Sequence, residues 1–504
     1  MVQQELPTAT RERLLTPNTE GVPSAQLQLP PGPFQITTPP FDTLQRFWNI
    51  LSILLAPREF FRAMEQYGDV YRMLPFIGSD VAMVSGVENL KQCWAYEKEG
   101  KLVQVSPPVI QQLMGKENLN AIEGEDHARM RRLYMSAFTQ AALMSYVPTV
   151  EDIVDKYVDR WVAAAREGRQ LDLSSDMKLY TLEVAWKVLC GQASISDDKL
   201  QQLSESFMAW VKGLAAPWTK GWVAPFNIYD KALEAKDDIM QFAASVVDAK
   251  RAMSPAERAA SRKDVVDYLL SARMTSDGEV VDAESADAGK DADVFQMSDQ
   301  AIADNVLLTL FAGHDTSSST LGVMLVALAS NPQVLKDLRK ELDDAAQGRS
   351  RIPWPELRKL PFLDAVITET LRWEPIVVQL SRMAEEDLEI GGYLVPKGWQ
   401  VDYNLFATNQ DGSVFSDPSF FDPYRHLQGQ INGGSPVPFG GGKRVCPGAE
   451  LARLEMKMLL DRFVREVEFE AIDASSLELS RFPNPFPASK GGFKARLTER
   501  VVEV

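Results

Sequence analysis

The segment Pro438–Glu450, "PFGGGKRVCPGAE", decides how the rest of the chain is interpreted. It places Cys446 between three consecutive glycines and a Pro-Gly pair. Proline is favoured in the first turn of a helix, because the backbone N–H at that position has no intrahelical partner. The following residues, "GAELARLEMKMLLDRFV", have a helical pattern of apolar residues. We therefore predict a helix that starts at Pro447, with Cys446 at its N-terminus.

This position favours an ionised sulfur. Free backbone N–H groups and the positive end of the helix dipole stabilise a thiolate, and Lys443 and Arg444 add positive charge. The glycines Gly440–Gly442 permit a tight loop and the close approach of a flat ligand, while Phe439 can shield the sulfur from water. A thiolate of this kind is suited to be an axial ligand of haem iron. A buried structural cysteine is the alternative.

Composition excludes several classes of protein. The 504 residues include 53 basic and 70 acidic side chains, so the surface does not favour nucleic acid as a partner. Cys93, Cys190 and Cys446 lie far apart in sequence, which argues against a disulfide framework or a zinc site. No apolar run reaches the roughly 18 residues of a transmembrane helix. We expect an intracellular protein, cytoplasmic or peripheral on a membrane, without a transmembrane anchor in this chain.

The chain is predicted to be mostly α with small β-sheets. Residues 1–33 form a polar lead-in that ends in a proline hinge, "LPPGP", and residues 34–504 form one catalytic domain. Within it, residues 274–296 are rich in Asp, Ala, Ser and Gly, which indicates a flexible acidic loop between helices. A long helix is predicted over residues 298–330, before Asn331-Pro332.

The cysteine segment resembles the signature of the cytochrome P450 superfamily, Phe-x-x-Gly-x-Arg-x-Cys-x-Gly. Every fixed position is matched, by Phe439, Gly442, Arg444, Cys446 and Gly448. The resemblance implies a triangular helical prism that encloses haem b, with Cys446 as the ligand of the iron. The cofactor-binding residues that we expect in this segment are Cys446, Phe439, Gly440, Arg444 and Gly448.

The middle of the long helix carries "FAGHDTSSST", Phe311–Thr320. Polar residues inside an apolar helix destabilise it unless they form hydrogen bonds or have a chemical role. Ser317–Thr320 are interpreted as hydroxyls that bond back to the helix's own carbonyls. The preceding residues match the family pattern of small residue, Gly, any residue, acid and Thr. The resemblance implies that Ala312 and Gly313 leave room for dioxygen, that Thr316 steadies it, and that Asp315 takes part in the proton supply.

Two further groups of residues agree with the family pattern. In "ETLR", Glu369 and Arg372 lie one helical turn apart and can pair, and "FDPYRH" supplies Arg425, so that the resemblance implies a structural clamp. His426 stands where the family often has an aromatic residue. In "GEDHARMRR", His127 and Arg131 share one helical face and are suited to grip a carboxylate. The resemblance makes His127, Arg131 and Arg382 binders of the haem propionates. A surface basic patch is the alternative for His127 and Arg131.

Within the superfamily, "AGHDTS", "GEDHARMRRLYMSAF" and "PKGWQVDYN" look most like the branch with retinoic-acid hydroxylases and plant sterol and diterpenoid hydroxylases. We therefore expect a monomeric haem-thiolate monooxygenase that hydroxylates a lipophilic retinoid, apocarotenoid, sterol or terpenoid. Its electrons would come from a ferredoxin or a flavoprotein reductase that docks on a positive patch of Lys443, Arg444 and Arg132. The alternatives are a reductase-independent isomerase or peroxygenase, against which Asp315-Thr316 counts, and a haem-binding sensor.

Substrate contacts are expected from variable, largely apolar segments. These are "SPPVIQQLMG" from Ser106, "FMAWVKGLAAPWTKGWVAPF" from Phe207, the helix face near Leu308 and Phe311, "PIVVQL" from Pro375 and "PFPASKGG" from Pro485. Trp218, Trp222 and Phe226 suit either peripheral membrane contact, since Trp favours such interfaces, or packing in the core.

Overall fold

The computed structural model describes residues 27–32, 60, 63–73, 80–105, 108–191, 196–215, 219–223, 226–254, 257, 263–282, 295–427, 436–480 and 487–500. The described residues form two units, and each unit draws on several segments of the chain. The first contains described residues up to Val105, Gln379–Thr408 and Gly441–Lys443. The second contains the described residues of Ser106–Val378, Asn409–Gly440 and Arg444–Val504. Residues on both sides of the acidic segment 274–296 therefore belong to the second unit.

Helices dominate, and the sheets are small, as predicted. The helices are α1 (Val87–Lys98), α2 (Pro108–Met114), α3 (Gly124–Met135), α4 (Gln140–Arg166), α5 (Leu173–Cys190), α6 (Asp197–Ala215), α7 (Ile228–Ala252), α8 (Val265–Ser271), α9 (Asp299–Ser330), α10 (Pro332–Ala346), α11 (Trp354–Leu357), α12 (Pro361–Trp373), α13 (Leu405–Asn409) and α14 (Ala449–Glu466). The strands are β1 (Val70–Met73), β2 (Val81–Val84), β3 (Leu102–Gln104), β4 (Gln170–Asp172), β5 (Ala272–Met274), β6 (Val280–Asp282), β7 (Gln379–Ala384), β8 (Leu388–Ile390), β9 (Tyr393–Val395), β10 (Gln400–Asn404), β11 (Val467–Ala471), β12 (Leu479–Ser480), β13 (Ala488–Ser489) and β14 (Lys494–Glu499).

The first unit is built on a five-stranded sheet with the strand order β1-β2-β10-β7-β3. Strands β1 and β2 pair antiparallel, with Val70 opposite Val84, while β10 runs parallel to β2 and antiparallel to β7. A buried carboxylate on α1 ties this helix to the sheet. Glu97 accepts hydrogen bonds from Arg382 of β7 at 2.8 Å and from the hydroxyl of Tyr403 of β10 at 2.7 Å.

The second unit is organised around α9, whose side chains are buried along most of its length. The helix begins where Ser298 accepts a hydrogen bond from the N–H of Ala301 at 2.9 Å, and it ends at Ser330, before Asn331-Pro332. This agrees closely with the predicted range of residues 298–330. The helix packs along α5 and α7. Because its apolar residues face several neighbours, a polar residue inside α9 needs a partner or a cavity.

Two predicted boundaries are wrong. The last long helix begins at Ala449 rather than at Pro447, with Gly448 as its N-cap residue, so Cys446 lies in the turn before the helix. The segment 274–296 begins as part of a hairpin, because β5 pairs with β6 through a turn in which Gly278 has a φ of 86°. Residues 283–294 of the predicted flexible loop lie outside the described residues.

None of the helices in the described residues combines the length and apolar character that a membrane crossing requires. Trp222 is 51% exposed and Phe226 is 61% exposed, so packing in the core is the wrong interpretation of these two residues. Trp218 lies outside the described residues. Peripheral membrane contact at this segment stays a prediction.

The predicted clamp is present in the second unit and is fully buried. Arg372 donates to both carboxylate oxygens of Glu369, at 2.8 and 2.7 Å, and Arg425 donates to the Oε1 atom at 3.1 Å. His426 adds a partner that sequence analysis did not assign, since its Nε2 lies 2.8 Å from Oε2 of Glu369. Burial by itself would raise the pKa of Glu369, but the hydrogen bonds from Arg372 and His426 lower it to about 2. The clamp thus stabilises the fold above the pKa of the unfolded carboxyl and loses this contribution as the pH falls towards 2.

We predict that His426→Phe, which introduces an aromatic residue without a donor, lowers the free energy of unfolding by about 1–3 kcal/mol, because a buried carboxylate oxygen loses a partner. His426→Gln is the matched control, since its amide N–H can donate to the same oxygen. Urea unfolding at neutral pH measures both variants. Equal stability of His426→Phe and the unmodified chain would contradict a stabilising role for this bond.

Candidate active site

The loop before α14 is closed by backbone hydrogen bonds. The N–H of Cys446 donates to the carbonyl of Phe439 at 3.0 Å, and the N–H of Gly440 donates to the carbonyl of Val437 at 3.1 Å. Gly440 has a φ of 69°, in the left-handed region that side-chain-bearing residues rarely adopt. The loop therefore holds Cys446 at a defined place just before the helix, where the free N–H groups of the first turn lie.

Cys446 is an exposed residue, whereas Cys93 and Cys190 are buried. The surrounding protein still desolvates the sulfur of Cys446, and this raises the pKa of its thiol. Hydrogen bonds from the backbone N–H groups of Gly448 and Ala449 and the charge of Arg131 act in the opposite direction without cancelling the effect of burial. The N–H groups of the helix terminus thus favour the thiolate, in the predicted direction, but burial is the larger effect on this thiol. A bound metal cation removes the proton from a coordinating thiol.

Two arginines near the loop have positions that the sequence pattern did not predict. Arg444 is only 6% exposed and pairs with Glu123 at 2.7 Å, while also donating to the carbonyl of Ile122 at 2.9 Å. It thus anchors the loop to the segment before α3 and does not contribute to an exposed positive patch. Arg131 on α3 donates to the carbonyl of Val445 at 2.6 Å. His127 is buried one turn earlier on the same helix.

The first unit explains two of the three glycines. A Cβ atom at Gly441 would lie 2.5 Å from the indole ring of Trp94, and one at Gly442 would lie 2.8 Å from the Trp94 Cβ. The flat group that approaches these glycines is thus a tryptophan side chain of the protein itself. Arg382, predicted to bind a propionate, is buried and pairs with Glu97. Its propionate role stays a prediction, and neither Trp94 nor Glu97 was marked by any motif.

A short face of α9 borders open space. Ala312 is exposed in the middle of an otherwise buried helix, and a Cβ atom at Gly313 would meet no atom within 4 Å. Thr316 lies one turn further on and is partly exposed. Its hydroxyl donates to the carbonyl of Ala312 at 2.5 Å. Since a hydroxyl has one proton, the oxygen of Thr316 is left with lone pairs that can accept a hydrogen bond.

Buried ionisable residues accompany this face. Burial raises the pKa of Asp315, while the charge of Lys178 opposes that change. The hydroxyl of Ser317 bonds to the carboxyl of Glu455 on α14, not to a helix carbonyl as predicted, and burial raises the pKa of Glu455 to about 8. The back-bonding interpretation is confirmed for Thr320, which donates to the carbonyl of Thr316 at 2.8 Å. Sequence analysis missed Glu455 because a glutamate inside an amphipathic helix is normally on its exposed face.

These residues fit a haem. Among the described residues no group of three or more His, Cys, Asp or Glu side chains could hold a metal ion. A single cysteine binds iron firmly only if another molecule supplies the remaining ligands, as the four nitrogens of a porphyrin do. The exposed residue Cys446 and the open face at Ala312 and Gly313 are both features of the second unit that a bound planar group would use.

Comparison with known proteins agrees with this geometry. A model of the family described as cytochrome P450 matches residues 38–488. A putative cytochrome P450 120 from Synechocystis sp. is 28% identical over 84% of this chain and 89% of its own length. Abscisic acid 8'-hydroxylase 1 from Arabidopsis thaliana is 27% identical over 83% of this chain and 82% of its own. Cytochrome P450 26A1 from Danio rerio is 28% identical over 87% of this chain and 84% of its own length.

A solved structure shares the fold. Retinoic acid bound cyanobacterial CYP120A1 superposes with a TM-score of 0.76 and 26% identity, covering 94% of this chain and all of that one. The family match extends over most of the chain and includes the cysteine loop, α9 and the clamp. The cofactor of this family is haem, and its members are oxidoreductases that use a redox partner and lipophilic substrates. The chain belongs to the cytochrome P450 family of haem-dependent monooxygenases.

Proposed function

We propose that this cytochrome P450 hydroxylates an isoprenoid lipophile, of the retinoid, apocarotenoid, sterol or terpenoid class, with electrons from a ferredoxin or flavoprotein reductase. The observation that carries the substrate class is the set of names of its relatives, which include abscisic acid 8'-hydroxylase 1 and ent-kaurenoic acid oxidase 1 of Arabidopsis thaliana. The solved relative CYP120A1 has retinoic acid bound. These three acids share an isoprenoid hydrocarbon skeleton, and we infer such a skeleton for the substrate of this chain.

The apolar residues of the second unit support a lipophilic substrate. Trp210 of α6 donates from its indole N–H to the carbonyl of Leu113 of α2 at 3.1 Å. The ring of Phe311, on α9, packs edge-on against Trp210 with the centroids 5.7 Å apart. Three of the segments predicted to line the substrate site, on α2, α6 and α9, are thus joined by one buried tryptophan. The partly buried ring of Phe311 lies directly beside the open face at Ala312.

We assign the haem iron to Cys446. When bound, the haem supplies the activation of dioxygen that inserts one oxygen atom into a C–H bond. The N–H groups of Gly448 and Ala449 donate towards the sulfur and would stabilise its negative charge once the proton is lost. Arg131 adds positive charge near the sulfur. His127 and Arg131 remain our candidates for the propionates, together with Arg382.

Thr316 and Asp315 are assigned to the handling of dioxygen and protons. Because Thr316 donates its own proton to Ala312, its oxygen can accept a hydrogen bond from a group placed in the open space beside α9. The adjacent carboxyl of Asp315 is buried and holds its proton more tightly than an exposed aspartate, which suits a group that must deliver one. Ala312 and Gly313 keep the space free of side chains. The presence of both an acid, Asp315, and a hydroxyl, Thr316, favours a monooxygenase over a peroxygenase or isomerase.

We expect Cys446→Ala to abolish the red-shifted Soret band of the reduced, carbon monoxide-bound protein, because this band requires a thiolate ligand. Cys190→Ala is the matched control, since that thiol is buried in the helical core, and it should keep the band. Absorption spectra of both haem-loaded variants provide the measurement. A persistent thiolate band in Cys446→Ala would assign the iron to another residue.

Thr316→Ala should keep the thiolate band but lower the product formed per electron pair by about tenfold or more, with the electrons recovered as hydrogen peroxide. Thr316→Ser retains a hydroxyl and should stay close to the unmodified enzyme. Product and peroxide are quantified together with a surrogate ferredoxin and reductase. Undiminished coupling in Thr316→Ala would remove this hydroxyl from the mechanism.

The substrate class is tested with a panel of retinoic acid, abscisic acid, ent-kaurenoic acid and, as a comparator without an isoprenoid skeleton, palmitic acid. We expect at least one isoprenoid acid to shift the Soret band at a concentration about tenfold below that needed for palmitic acid, a difference of about 1.4 kcal/mol in binding. Mass spectrometry then identifies the hydroxylated product. Tighter binding and faster turnover of palmitic acid than of every isoprenoid would overturn the proposed class.

A further inference from the structure

His314 precedes Asp315 in α9 and is only 1% exposed. Its ring meets the ring of Phe207 on α6 edge-on, with the centroids 5.2 Å apart. On α5, the hydroxyl of Thr181 lies 3.0 Å from its Nδ1. A histidine in this position is costly to bury unless both ring nitrogens are used. The family pattern allows any residue here, so the motif itself assigns it no role.

The bonds of Thr181 decide which nitrogen of His314 carries the proton. The Thr181 oxygen lies 3.0 Å from the carbonyl of Met177, 3.3 Å from that of Lys178 and 3.3 Å from that of His314 itself. These carbonyls can only accept, and we assign the single proton of the hydroxyl to the carbonyl of Met177, which is the nearest of them. With this assignment, Thr181 accepts from Nδ1–H. This places the ring proton on Nδ1 and leaves the lone pair on Nε2.

The Nε2 atom of His314 lies 3.7 Å from Oδ1 of Asp315. It is buried, and among the described residues it has no hydrogen-bond partner. A lone pair on nitrogen and an ionised carboxylate oxygen would repel each other, whereas a protonated carboxyl would donate to that lone pair. A side-chain movement of about 1 Å brings the two atoms to hydrogen-bond distance. Asp315 retains 9% exposure of its side chain, so water can still reach the carboxyl.

The charges around this pair favour the same arrangement. Burial lowers the pKa of His314 to about 3, and the positive charge of Lys178 on α5 adds to this effect, so the ring stays neutral at physiological pH. Burial raises the pKa of Asp315, with Lys178 opposing it. Lys178 is the charged residue that acts on both side chains, while Phe207 and Thr181 contribute no charge. The imidazole is therefore an acceptor that does not compete for the proton.

We propose that His314 is a positioning residue, which accepts a hydrogen bond at Nε2 from the protonated carboxyl of Asp315 and is itself oriented by Thr181. This contact keeps the acidic proton on Asp315 in a fixed direction until it is delivered beside Thr316. The inference rests on the role in proton supply proposed above for Asp315. It extends that role to residues on a second helix, α5, that no catalytic motif includes.

The infrared C=O stretching band of the protonated Asp315 carboxyl tests this contact in the haem-loaded protein. The band is assigned by its loss in Asp315→Asn. A carboxyl that donates a hydrogen bond absorbs at lower frequency than a free one. We therefore expect the band to move to higher frequency in His314→Phe, which has no acceptor, and to stay near its original position in His314→Gln, whose amide oxygen can accept. An unchanged band in His314→Phe would overturn the proposal, as would a Gln variant that behaves like the Phe variant.

Turnover separates this inference from the proposed function. With the surrogate reductase system, His314→Phe should lower the product formed per electron pair by about tenfold, and His314→Gln by less than about threefold. The carbon monoxide band verifies that each variant is folded around haem. If Asp315→Asn couples as well as the unmodified enzyme, the role of Asp315 in proton supply is wrong, yet the infrared band still reports on the contact with His314. A shifted band with unchanged coupling in His314→Phe would overturn the positioning role alone.

Discussion

The proposed site depends on Cys446, an exposed residue whose sulfur is desolvated by the surrounding protein. The loop from Val437 to Cys446 is closed by its own backbone bonds, and the first N–H groups of α14 donate towards the sulfur. Desolvation nevertheless raises the pKa of the free Cys446 thiol. In the proposed assignment, haem iron bound at Cys446 would supply a positive charge that favours the thiolate.

The helix α9, which carries the residues that we propose to handle dioxygen and protons, shows how polar side chains are accommodated inside an apolar core. Three polar residues of α9 have partners: Thr316 bonds to Ala312, Ser317 bonds to Glu455, and Nδ1 of His314 bonds to Thr181. Burial favours the neutral form of two ionisable side chains of α9 and one of α14: it lowers the pKa of His314 and raises the pKa of Asp315 and of Glu455.

The clamp contains a buried carboxylate, Glu369, that stays charged. Glu369 remains ionised because Arg372, Arg425 and His426 surround it with donors, and the pKa of its carboxyl is lowered despite complete burial. Glu455 accepts a hydrogen bond from the neutral hydroxyl of Ser317, and burial raises the pKa of its carboxyl instead. The arginines beside Glu369 are cationic, and this difference in charge decides between an ion and a neutral acid.

The amino-acid sequence by itself determined the family, the cysteine loop, the span of α9 and the trio of the clamp, because these features depend on residue type at short, regular spacing. It did not reveal that Arg444 forms an ion pair with Glu123, that Trp94 packs against Gly441 and Gly442, or that His314 is hydrogen-bonded to Thr181. Each of these pairs joins residues far apart in the chain. Only tertiary packing decides which donor meets which acceptor and how much water remains around them, and this shifts the pKa values of Cys446, Asp315 and Glu455.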